Sequence, residues 1–161
     1  MNLKLLLFAA ALSIASSIAQ DNTPPPHVEA LCGASFDAFK DVPQHVCCEA
    51  KACLDDVAFA LQRQSDARLV IVGNATTLEK AATNQGYVSD LDARRAIVTK
   101  EYIVSDKGID PSRIEIRVGK LGEKTVQTYL VPPRADFDAD VLRTTQINEQ
   151  LIKATRPLPQ R

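Results

Sequence analysis

Arg68-Leu69-Val70-Ile71-Val72-Gly73 is a short β-branched run closed by a glycine, the pattern of a strand buried on both faces and so central in its sheet. Before it, from about Pro43 to Gln64, Ala50, Cys53, Leu54, Val57, Ala58 and Leu61 recur at the spacing of one helix face, with Lys51, Asp55, Asp56 and Arg63 opposite. After it, Asn74 to Val88 is polar and irregular. Ser89, with Asp92 three residues on, then opens a second helix in the manner of a capping box. Leu91, Ile97, Val98, Tyr102 and Ile103 suit its buried side, and Gly108 suits its left-handed C-terminal position.

Further out, Arg113-Ile-Glu-Ile-Arg-Val118 alternates polar with apolar residues, as a half-buried strand does. Gly119-Lys-Leu-Gly122 offers turn residues before a strand over Thr125 to Val131, so these two strands are expected to pair as an antiparallel hairpin, stopped by Pro132 and Pro133. A first strand reads around Ala34 to Phe39. The order strand, helix, strand, helix, strand, strand predicts an α+β fold, a two-layer sandwich of a mixed β-sheet with two helices on one face.

The ends of the 161-residue chain read differently from its centre. Lys4, the apolar run Leu5 to Ile14 and Ser17-Ile18-Ala19 form a secretory signal peptide over residues 1–19, cut before Gln20. That run is too short and too interrupted by serines for a membrane span, no later stretch is long enough, and no cysteine follows the cut to carry a lipid. Residues 20–33, with Pro24 to Pro26, read as a linker, 34–133 as the domain, and 134–161 as a polar tail with one weak apolar patch at Ile147 to Ile152. The mature chain is expected to be exported to the periplasm or cell envelope.

Composition narrows the function classes. Nineteen Lys and Arg against 20 Asp and Glu leave a net charge of −1, with no basic field to attract nucleic acid. No Trp, 5% aromatic residues and only two histidines, His27 and His45, leave few stacking platforms or neutral-pH proton shuttles. There is no Gly-rich phosphate loop, no Ser-His-Asp order and no supported carboxylate pair, so no catalytic residues are assigned. Export makes Cys32, Cys47, Cys48 and Cys53 disulfide candidates with three possible connectivities. A bond between neighbours Cys47 and Cys48 would be strained, so Cys32 is expected to join one of them, with Cys53 a small buried hydrophobe on its helix. The ligand spacing of a zinc site is lacking, and no metal or cofactor is expected.

Leu54-Asp55-Asp56-Val57-Ala58, the strand closing at Gly73, Leu91-x-x-Arg94-Arg95-Ala96, Lys107-Gly108-Ile109, Ser112-Arg113-Ile114 and Gly119-x-x-Gly122-Glu123 occur in that order. The set resembles the OmpA-like C-terminal domain, over about Ala34 to Val131, and the variant with Asn74-Ala75 after Gly73, Glu49-Ala-Lys-Ala-Cys-Leu-Asp-Asp56 and the ending Tyr129-Leu-Val-Pro132 looks similar to secreted members from soil bacteria such as acidobacteria. The resemblance implies non-catalytic attachment to peptidoglycan, with an Asp after the second strand and an Arg on the second helix holding the diaminopimelate end of the stem peptide. Arg95 matches the family Arg, framed by Leu91, Arg94 and Ala96, and its planar fork suits a carboxylate. The family Asp falls on Thr76 in Gly73-Asn74-Ala75-Thr76, and the Asn expected three residues before Leu91 is Val88. Glu79, in the same loop, is the candidate to replace the missing carboxylate. The expected ligand-binding residues are thus Arg95, Thr76, Asn74 and Glu79, while Arg94 is expected in solvent. Three readings follow: a peptidoglycan-binding module, with other envelope proteins as further partners; a divergent member that has lost the ligand and serves as a structural or protein-interaction domain; and a secreted thiol or metal protein using Cys47, Cys48 and Cys53.

Overall fold

The computed structural model describes residues 24–35, 46, 48–82, 90–119, 125–141 and 143–155. The signal peptide, the Cys47 thiol and most of the Gly119 to Glu123 turn lie outside the described residues. Among the described residues five strands form one sheet: β1 (Glu29–Ser35), β2 (Arg68–Gly73), β3 (Ile114–Val118), β4 (Thr125–Val131) and β5 (Thr145–Gln146), in the spatial order β1-β4-β2-β3-β5. The helices are α1 (Cys48–Arg63), α2 (Thr77–Ala82), α3 (Leu91–Lys107), α4 (Phe137–Asp140) and α5 (Glu149–Thr155). This is the α+β architecture with a mixed sheet that the sequence predicts.

β2 is central and its alternate side chains serve two faces. Leu69 and Ile71 join Leu54, Val57, Leu61, Ile97 and Ile103 of α1 and α3 in the main core, while Val70 and Val72 pack with Val131 and Phe137 on the opposite face. β3 runs parallel to β2, Leu69 opposite Ile114 and Gly73 opposite Val118, because α3 returns the chain between them as a crossover. β4 runs antiparallel to β2 along its other edge, and also to β1.

That arrangement corrects the expected hairpin. β3 and β4 are not neighbours: β2 lies between them, and the antiparallel partner of β3 is β5. Alternation in Arg113 to Val118 reports which side chains are inward, not which strand lies alongside. β1 likewise begins at Glu29, inside the stretch read as linker, and its register shifts between Ala30 and Gly33. The shift breaks the two-residue period by which an edge strand would be recognised. At Thr128 the side chain takes over part of the ladder, its Oγ1 accepting from the Cys32 amide at 3.2 Å and donating to the Cys32 carbonyl at 2.9 Å.

The disulfide is also corrected: Cys32 pairs with Cys53, Cα atoms 6.1 Å apart, joining β1 to α1. Cys53 lies on the apolar face of α1 that covers the sheet, which is why it reaches β1. The segment read as a polar tail contributes β5, α4 and α5. Phe137 is 1% exposed, with Tyr129 edge-on at 5.5 Å and the Arg117 guanidinium 4.8 Å over its ring. α5 lies by α3 through Lys100–Glu149 and Lys153–Glu101 ion pairs, with Ile147 and Ile152 against the main core. Where α1 ends, Arg113 donates to the carbonyl of Leu61, in the last turn, which a helix end leaves without a partner in the helix, and to those of Gln64 and Ala67 in the turn that leads to β2.

Candidate functional site

The site forms where β2 ends and α3 begins. Gly73, the last residue of β2, lets α3 approach closely: a methyl group there would lie 1.9 Å from the Asp92 carbonyl oxygen. α3 starts one residue beyond Asp90, which is left-handed (φ 62°) and makes no side-chain cap bond, so Asp92 sits within the first turn. The Ser89 of the expected capping box lies outside the described residues. At the far end Gly108 is left-handed (φ 68°), and its amide and that of Ile109 bond back to Val104 and Ile103.

From the first turns of α3, Arg95 points inward and is 1% exposed. Its Nη1 donates to the Asn74 carbonyl at 2.7 Å and to Glu79 Oε2 at 3.2 Å, while Nη2 donates to Glu79 Oε1 at 2.7 Å. Asn74 is fully buried just past β2, its amide donating to the Thr125 carbonyl at 2.9 Å, which holds its own carbonyl in place for Arg95. Glu79, on α2, is 4% exposed. Its Oε2 also accepts from the Thr76 amide at 2.8 Å and from Thr76 Oγ1 at 3.2 Å, and the Glu79 amide donates to Thr76 Oγ1 at 3.1 Å. Burial pushes the Glu79 carboxyl upward, but the bonds from Arg95 and Thr76 outweigh it and hold the group below its ordinary 4.5.

All four sequence candidates, Arg95, Thr76, Asn74 and Glu79, therefore meet at one point. The sequence reading missed α2, which falls in the stretch taken as irregular. Its signal was present: Thr76-x-x-Glu79 is a capping box, with hydroxyl and carboxylate satisfying each other's amides. Arg94 was expected in solvent, yet it is 2% exposed. Helix periodicity places only one of two adjacent residues on a given face, so it does not report that Arg94 and Arg95 are both enclosed.

Chemically, the arrangement is a carboxylate held by a guanidinium fork, a hydroxyl and a main-chain amide. Away from this point, a second polar cluster joins α1 to α3: the Tyr102 hydroxyl donates to Asp55 at 2.6 Å and Lys107 pairs with Asp55 at 2.8 Å. No helix among the described residues is long and apolar enough to cross a membrane.

The chain is similar to two solved structures. The OmpA-like domain of FopA1 from Francisella tularensis subsp. tularensis superposes with a TM-score of 0.50 at 12% identity, over 72% of this chain and 74% of that one. The periplasmic domain of Helicobacter pylori MotB gives a TM-score of 0.49 at 10% identity, over 73% and 90%. No protein-family model matches the sequence, and no curated protein matches it. The fold is that of an OmpA-like domain, in agreement with the resemblance drawn from the residues.

Proposed function

We propose that this chain, an OmpA-like domain in fold, is a non-catalytic protein of the periplasm that attaches to peptidoglycan, taking the diaminopimelate end of the stem peptide at Arg95. The observation that carries the reading is the buried Arg95 fork at the end of β2, already engaged by a carboxylate that Thr76 also binds. Its donors are those a stem-peptide carboxylate requires. The signal peptide read over residues 1–19 supports the location.

Cosedimentation with diaminopimelate-containing sacculi tests it. The mature protein should pellet, and Arg95→Lys, which keeps the charge but loses the fork, should not. Thr76→Asp restores the carboxylate type at the position where the family has it and should pellet at least as well as wild type. A second reading, an OmpA-like domain that has given up the ligand and binds proteins, is favoured by one observation: Glu79 fills the Arg95 fork. Under that reading wild type stays in the supernatant and only Thr76→Asp pellets.

A further inference from the structure

We infer that Glu79 is an internal occupant of the Arg95 site, and that an external carboxylate reaches the fork by displacing it. The inference rests on the wall-binding reading above and says how that site is controlled. A carboxylate has about four acceptor positions. Glu79 accepts four bonds, three on Oε2 from Arg95 Nη1, the Thr76 amide and the Thr76 hydroxyl, and one on Oε1 from Arg95 Nη2. With the residue 4% exposed, neither oxygen is open to a ligand ammonium, so Glu79 cannot hold Arg95 and serve as the ligand's anion at once. With Arg95 1% exposed, a second carboxylate cannot join the first.

The element that carries Glu79 is suited to leave. α2 is six residues long, and of its described side chains Thr77 and Leu78 are exposed, Leu78 by 73%, while Glu79 alone is buried. Among the described side chains of α2, the hold on the rest of the domain is therefore the polar contact of Glu79 rather than apolar burial. An incoming carboxylate would regain the Arg95 and Thr76 bonds while Glu79 returns to water, so the exchange conserves the strong interactions. Closure multiplies the apparent affinity by the fraction of molecules whose fork is open.

The test compares wild type, Glu79→Gln and Glu79→Gln/Arg95→Lys on diaminopimelate-containing sacculi. Glutamine keeps the shape but offers one neutral acceptor in place of two anionic oxygens. The half-saturating sacculus concentration should fall by about tenfold or more in Glu79→Gln, the scale of one charge-assisted bond, and binding should vanish in the double variant. If wild type pellets and a folded Glu79→Gln pellets equally or less, the inference is overturned while the wall-binding reading stands. If neither pellets, both are overturned. Should Glu79→Gln fail to fold, hydrogen exchange on wild type with a soluble diaminopimelate muropeptide decides: amides of residues 77–82 exchange faster in the complex if Glu79 is displaced. Unchanged or slower exchange at saturation overturns the inference.

Discussion

Glu79 and Arg95 are a buried ion pair whose two members depend on each other. Removing one partner leaves an uncompensated charge, at a cost of about 3–5 kcal/mol, so Glu79→Ala should lower the unfolding free energy by roughly that amount at pH 7. The pH dependence has a definite sign. The Glu79 carboxyl is held below its ordinary 4.5 in the folded chain, so its stabilisation is fully present above about pH 4.5 and is lost as the pH falls through the lower folded value. Urea unfolding from pH 7 to pH 3 should show the gap between wild type and Glu79→Gln narrowing toward acid; a constant gap would mean the pair does not carry the stability. At this scale the sequence was readable where a local rule applied. Arg95 is marked by its frame of Leu91, Arg94 and Ala96, and the Thr76-x-x-Glu79 box announces α2. Nothing local reports that α2 folds back over α3, because that contact spans sixteen positions of chain.

Between elements, two junctions hold the sheet to its helices. At Gly73 the β2 backbone meets the first turn of α3, and Gly73→Ala would force a methyl group onto the Asp92 carbonyl oxygen. Backbone on both sides cannot yield as a side-chain tip can, so a loss of roughly 3 kcal/mol is expected, together with weaker pelleting on sacculi because Arg95 shifts with α3. Full stability in Gly73→Ala would show that α3 approaches less closely. At the other junction, Cys32–Cys53 closes a loop between residues 21 apart in sequence, worth about 3 kcal/mol in the chain-entropy account. Cys32→Ala/Cys53→Ala should unfold at correspondingly lower urea concentration, and dithiothreitol should then leave its midpoint unchanged while lowering that of wild type. The periodicity of α1 already put Cys53 on the face toward the sheet; what it could not supply was β1, whose irregular register hid the strand carrying Cys32. The β3–β4 hairpin failed for a related reason: a glycine-rich turn is compatible with a hairpin and equally with a chain that passes over a central strand.

On the scale of the whole molecule, the sheet has two apolar faces; among the described residues the long helices α1 and α3 lie on one, and the C-terminal segment covers the other. A strand pattern as apolar as Arg68 to Gly73 requires such a cover, although the polar composition of the segment that supplies it conceals the fact. Phe137 sits against Val70, Val72 and Val131, Asp138 pairs with Arg117, and Asp140 accepts from the Val28 amide at 2.7 Å ahead of β1. Phe137→Ala should therefore cost about 3–5 kcal/mol, and below its lowered melting temperature it should bind sacculi as wild type does, since Phe137 lies across the sheet from α3. Deleting residues 135–161 removes Phe137, Asp138, β5 and α5 together and uncovers a strip of valines, so the truncated chain should bind a hydrophobic dye and aggregate on mild heating. The deletion consequently cannot diagnose a partner site in this segment, because it disturbs the fold as a whole. Phe137→Ala with wild-type stability, or a monomeric truncated chain with an unchanged melting temperature, would show that the second face is covered by something else.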